Sequence, residues 1–267
     1  MTQDCINLKN ASLFIRKWIE RQKSVKEESL TDWLLYEISE KISGITYHAF
    51  TRNEEAETTG ADWEWWFIFD RFAYKFRVQA KKIKPYKDNY SSIAYANKYG
   101  LQIEKLIEDS NICNSIPIYA FYTSVVDRVR CGNHITDEGV YITGANGLFE
   151  KIIISGKRKI DHNDILEETI PLSCMLCCHL VRYDKGSGYD DFILNYFQTE
   201  QNTSKKELNE GNKITGRYEK IPRYVESLIE LSKEKIPDWW EDEFHNNTQS
   251  LNGILIVDRR NRKEDKE

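Results

Sequence analysis

Two hydrophobic periods run along this chain, and each predicts a different element. From Tyr74 to Lys81, Tyr74, Phe76, Val78 and Ala80 alternate with Lys75, Arg77, Gln79 and Lys81, the period-two pattern of a half-buried strand. Alternation sends Gln79 and Lys81 to one face and Ala80 to the other. The preceding run, Asp62 to Phe69, is opened by Gly60 and is rich in the aromatic residues that suit a pleated, buried surface. Asp70-Arg71-Phe72-Ala73 leaves only a short connection, so the two runs predict an antiparallel hairpin with Asp62 near Gln79 and Lys81.

The helical period appears on both sides of this hairpin. Ala11 to Gln22 predicts a helix with Phe14, Ile15, Trp18 and Ile19 on one side, and Leu30 to Ile42 predicts a second, stopped near Ser43-Gly44. Ile45 to Phe50 reads as a strand. Beyond Pro85, Ser91 to Glu108 predicts a helix with Ile93, Leu101, Ile103, Leu106 and Ile107 as its apolar face. IPIYAFY, Ile116 to Tyr122, reads as a strand buried on both faces. The order helix, three strands, helix, strand implies a central mixed α/β sheet flanked by helices.

At 267 residues the chain is long enough to bury a substantial core, and seven Trp, fifteen Tyr and eleven Phe mark a folded protein. No apolar run approaches the roughly 18 residues needed to cross a bilayer, and the N-terminus lacks a secretory pattern. The expectation is a soluble cytoplasmic protein with no membrane partner. Six Cys without a regular framework fit a reducing compartment better than a disulfide scaffold.

The net charge of −5 argues against a globally basic coat, yet charge is unevenly placed: seven Lys or Arg and no acid lie between Arg71 and Lys87, directly after the acidic stretch Glu54 to Glu64. Acids beside bases suit a site that holds a cation next to a polyanion; the same run also suits a solvated strand and loop. Arg77, Lys82, Lys84 and Lys87 are the candidate nucleic-acid contacts.

An acid at the start of the second strand and Gln79-Ala80-Lys81 at the end of the third, in the order αβββαβ, resemble the PD-(D/E)XK nuclease superfamily, particularly its Mrr-like restriction endonucleases. The phrases GADWEWW, RVQAKK and IPIYAFYT also resemble an uncharacterised bacterial family. The resemblance covers about residues 25 to 125. It implies a restriction-endonuclease-like core and a metal-dependent endonuclease, acting on double-stranded DNA in bacterial defence, as a homodimer or higher oligomer.

In that reading Asp62 is the principal ligand of Mg²⁺, for which Mn²⁺ can substitute. Lys81 orients or helps deprotonate the attacking water and offsets developing charge. Gln79 stands where Glu is usual; its amide oxygen can coordinate, but without a formal charge. In this superfamily a further carboxylate often comes from the first core helix, which in this chain is the helix predicted over Leu30 to Ile42. At about 100° per residue, Glu27 and Glu28 fall within roughly 65° of the direction set by Thr31, Leu34, Leu35, Ile38 and Ile42. Glu28 is the first candidate and Glu27 the alternate, although acids at a helix start also simply oppose its dipole. Glu64, on the strand face of Asp62, is another alternate. A plain structural account remains open, in which Asp62 caps a turn and Lys81 snorkels. So does a non-catalytic subunit of the same fold that binds nucleic acid or protein.

The layout expected is an N-terminal helix over 1–24, a core over 25–125, a mainly helical extension over 126–257 for recognition, dimerisation or control, and a disordered tail over 258–267. In the extension, Cys174, Cys177, Cys178 and His179 offer one CxxC without a second pair to complete zinc, and Leu172, Met175, Leu176 and Leu180 suggest a buried helix. No His-x-Glu lies upstream for a zinc deaminase, and Walker A and GxSxG motifs are absent. Tyr218, Ile221, Tyr224, Val225, Leu228, Ile229 and Leu231 suggest a helix extending to about Lys235, with Pro222 near its first turn. Trp239, Trp240 and Phe244 read as core or interface residues, and GILIVD as a strand or docking segment.

Overall fold

The computed structural model describes residues 2–50, 60–82, 96–97, 100–124, 130–131, 134–135, 137–154, 162–177, 187–197, 214–231, 237–248 and 251–260. Its strands are β1 (Ile45–Ala49), β2 (Trp63–Ile68), β3 (Ala73–Lys82), β4 (Ala96–Asn97), β5 (Gly100–Leu101), β6 (Ile116–Tyr122), β7 (Arg130–Cys131), β8 (His134–Ile135), β9 (Val140–Gly144), β10 (Ile170–Pro171), β11 (Arg217–Tyr218) and β12 (Gly253–Asp258). The main helices before β6 are α1 (Gln3–Arg21), α2 (Glu27–Lys41) and α3 (Gln102–Ile112).

A mixed, open sheet runs β1-β12-β2-β3-β6-β9-β10, with β11 pairing the start of β3. β2 and β3 form the expected antiparallel hairpin, and β6 lies parallel to β3 after the crossover through α3. All residues of β2 and β6 are buried, which is why these strands read as continuous apolar or aromatic runs. One sheet face carries Trp65, Phe67, Phe76 and Val78 against α1 and α2. The other carries Trp66, Ile254, Ile256 and Tyr119 against α3 and the helices Arg223–Glu230 and Asp238–Thr248. Trp240 and Phe244 fill this second core, whereas Trp239 is largely exposed.

The segment beyond residue 125 adds strands to the core sheet beside its helices. It supplies β9, β10, β11 and β12 to the sheet. β12 lies between β1 and β2, antiparallel to the first and parallel to the second. Gly253 permits that insertion: a Cβ there would fall 2.3 Å from the Trp63 ring and 2.4 Å from the His48 carbonyl oxygen. Order also continues past the boundary expected at 258. Asp258 closes β12, and Arg259 pairs with Asp4 of α1 at 2.8 Å; residues 261–267 lie outside the described residues.

α1 begins at Gln3, well before Ala11, because the Thr2 hydroxyl caps the Cys5 N–H at 3.4 Å. Its inward stripe is Cys5, Leu8, Ala11, Ser12, Ile15 and Ile19. Phe14 is 45% exposed, stacked on Trp33 of α2 at 4.0 Å with Trp18 beside it, so the expected side is split between core and surface. α3 departs most from expectation. Residues 96–97 and 100–101 pair as two short strands, with Gly100 at φ 112°, so helix begins only at Gln102. Ile93 lies outside the described residues.

Glu138 is buried where the 137–140 segment packs on α1. It accepts the Ser173 N–H at 3.3 Å and the Ser173 hydroxyl, and burial pushes its carboxyl up to about 7. Cys5 and Cys177 are joined as a disulfide, contrary to the expectation of unpaired thiols. Cys177 is thereby unavailable as a zinc ligand, Cys174 is buried, and Cys178, His179 and Leu180 lie outside the described residues. No described helix is long and apolar enough to cross a membrane.

Candidate active site at the end of the β2–β3 hairpin

The hairpin register sets the geometry. Trp63 is paired with Val78, and the Asp62 N–H donates to the Val78 carbonyl at 2.8 Å, so Asp62 falls one step further along, facing Gln79. Asp62 Oδ2 accepts the Ala80 backbone N–H at 2.8 Å and also the Gln79 amide N–H. Gln79 Nε2 donates to the Ala80 carbonyl at 3.0 Å as well, while Gln79 Oε1 accepts from Gln102 Nε2 at 2.8 Å. Nitrogen facing two acceptors and oxygen facing a donor fix the orientation of the amide by chemistry. Gly60, at φ 68°, brings the chain into β2 against the start of α3, where a Cβ would lie 2.7 Å from the Gln102 carbonyl oxygen.

A second carboxylate reaches this end of the sheet from α2, and it is Glu27. Its Oε2 accepts the backbone N–H of Lys82. The first turn of α2 is held by Thr31, whose hydroxyl lies 3.2 Å from the Glu27 carbonyl and 2.8 Å from the Tyr122 hydroxyl at the end of β6. Burial pushes the Glu27 carboxyl up to about 7, with Lys81 opposing and the Asp62 charge reinforcing the rise. Asp62, Lys81 and Glu27 therefore act on one another across the rim.

Other expected site residues lie elsewhere. Glu28 is exposed on the first turn of α2, since the helix phase that turns Glu27 to the rim turns its neighbour outward. Glu64 shares the face of Asp62 but is fully buried in an ionic network, 3.2 Å from Lys75 and 3.5 Å from Arg77. It also accepts from Trp66 Nε1 and the Tyr224 hydroxyl, each at 2.6 Å. Burial alone would raise its carboxyl; Lys75, Arg77 and these donors hold it below the usual range.

Arg77, expected to contact nucleic acid, is 0% exposed in its side chain and pairs with Asp109 at 3.2 Å as well as with Glu64. Lys82 is also turned away from that role: its ammonium donates to the Lys23 carbonyl at 2.9 Å and to the Val25 carbonyl, closing the α1–α2 connection. Lys84 and Lys87 lie outside the described residues. The basic run thus divides into a buried network at Lys75 and Arg77, a backbone clasp at Lys82 and a site lysine at Lys81. Gln102, Thr31 and Tyr122 were missed. A helix phased from residue 91 gave no reason to see Gln102 as the first residue of its helix, and hydroxyls inside apolar runs carry no periodic signal.

A mixed α/β protein with a carboxylate, an amide and a lysine gathered at one sheet end is the class this geometry defines. Residues 5–263 match the model of a family of unknown function, DUF6615, and the chain belongs to that family. No curated protein matches the chain.

Proposed function

We propose that the chain is a metal-dependent endonuclease with a restriction-endonuclease-like core, hydrolysing the phosphodiester bonds of nucleic acid, namely double-stranded DNA, in bacterial defence. The observation that carries this reading is the convergence of Asp62, Gln79 and Glu27 at the hairpin end that also bears Lys81. Among the described residues no three His, Cys, Asp or Glu side chains form a ready-made metal group. The donor set nonetheless suits Mg²⁺ or Mn²⁺: two carboxylates and an amide, all hard oxygen donors. Burial is the main cause of the raised Glu27 carboxyl and the Asp62 charge adds to it; the repulsion between the two carboxylates is what a cation would relieve.

Asp62, Gln79 and Glu27 would hold the cation. When bound, it would supply charge stabilisation at the phosphate and a more acidic water. The Ala80 N–H fixes the Asp62 carboxylate, the Lys82 N–H fixes that of Glu27, and Lys81 offsets charge developing on the phosphate. Cleavage of DNA and RNA in Mg²⁺ or Mn²⁺ tests the reading. Asp62→Asn and Lys81→Ala should each reduce it by about 100-fold or more with the fold intact, and cleavage surviving both substitutions would refute this site.

One observation favours a second reading, a non-catalytic subunit binding nucleic acid or protein. The Gln79 amide nitrogen already satisfies Asp62, so a neutral residue completes the site without metal. Wild-type protein that binds no Mg²⁺, even with DNA present, would favour that reading.

A further inference from the structure

We propose that Gln79 and Gln102 form a two-amide toggle, in which Gln102 is a positioning residue that sets which end of the Gln79 amide faces Asp62 and so whether a divalent cation is taken up. The inference rests on the cation-binding reading above and adds its control. In the arrangement present, donation runs in one direction: Gln102 Nε2 to Gln79 Oε1, and Gln79 Nε2 to Asp62 Oδ2. In that order the amide nitrogen occupies the place where the cation needs oxygen.

Reversing Gln79 alone creates two conflicts. Its oxygen would face the Asp62 carboxylate and the Ala80 carbonyl, the two acceptors its nitrogen now serves. At its other end two NH₂ groups would meet, those of Gln79 and Gln102. A cation beside Asp62 removes the first conflict by attracting both oxygens. The second is removed only when Gln102 also reverses and offers its own oxygen to the Gln79 nitrogen. The two amides therefore turn together. The backbone around them stays in place, because the Ala80 N–H holds Asp62 in both states and Gly60 seats the chain against the Gln102 carbonyl.

Calorimetric titration of the full chain with Mg²⁺ alone tests this in wild type, Gln102→Glu, Gln79→Ala and the double variant. A carboxylate at 102 can only accept, so it draws the Gln79 nitrogen toward itself and leaves the oxygen facing Asp62. An acid at the first helical position also suits the helix dipole, which favours retention of the fold. Gln102→Glu should tighten Mg²⁺ binding roughly tenfold when Gln79 is present, and less than about twofold when residue 79 is Ala. An equal gain in both backgrounds would be a general effect of added charge and would overturn the toggle while leaving the cation reading intact. No binding in any variant would overturn both. In wild type, NMR should show the side-chain NH₂ signals of Gln79 and Gln102 moving together on Mg²⁺ addition, and movement of Gln79 alone would overturn the toggle.

Discussion

Glu27 accepts the backbone N–H of Lys82, which ties the first turn of α2 to the last residue of β3. A main-chain donor is lost only to Pro, so the Glu27 carboxylate keeps this contact whatever other residue follows Lys81. The Lys82 ammonium meanwhile clasps the loop that delivers α2. One lysine thus positions the site acid without being part of the chemistry.

The raised Glu27 carboxyl, at about 7, makes cation uptake pH-dependent. A cation needs the ionised form, so binding releases a proton, and affinity should rise with pH up to the region of 7 and level off above it. Mg²⁺ titrations at pH 6 and pH 8 should differ by roughly tenfold, and Glu27→Gln should flatten the difference. An unchanged pH profile in that variant would remove Glu27 from the ligand set.

Gln79→Glu places a charged carboxylate against Asp62 where the amide now donates. Without metal the variant should be less stable than wild type by about 1–3 kcal/mol, and Mg²⁺ should raise its melting temperature more than it raises that of wild type. Thermal unfolding with and without Mg²⁺ gives the answer. A variant equally stable in both conditions would show that no cation sits beside residue 79.

Arg77→Met leaves Glu64 and Asp109 without their shared guanidinium. The expected cost is about 3–5 kcal/mol, read from urea unfolding, and the double change Glu64→Gln with Arg77→Met should cost less than the single one. Because Arg77 is buried, conservative repair of the network should leave the salt dependence of DNA binding unchanged.

Glu138 titrates in the opposite sense to a salt-bridged acid. Its folded carboxyl stands at about 7 against an ordinary 4.5, so the folded state holds the proton more tightly than the unfolded chain. Its contribution is intact below 4.5 and lost as pH rises to about 7, by at most roughly 3 kcal/mol. Wild type should lose stability across that window relative to Glu138→Gln. Parallel curves for the two proteins would show that Glu138 is not the titrating group.

The hairpin was legible because its alternation is strict and its turn short: Asp62, Gln79 and Lys81 could be placed by counting residues. The acid from α2 was only narrowed to a pair, since Glu27 and Glu28 differ by one helical step and the contact that selects Glu27 is a backbone N–H from a distant strand. Arg77 misled because alternation assigns a face and says nothing of what covers it. Asp109 of α3 and Tyr224 from the helix Arg223–Glu230 close over that face, and neither is close in sequence. β12 was recognisable as a strand, but its place between β1 and β2 depends on pairing across most of the chain.

That placement has a consequence for how the protein is made. While the chain is being synthesised, β1 and β2 emerge long before the strand that joins them, so each presents an unpaired edge to the cell. The hairpin bearing Asp62 gains its second neighbour only when residues 253–258 arrive. A chain cut short before that point would keep both of these edges open, and a fragment of that kind is prone to aggregate.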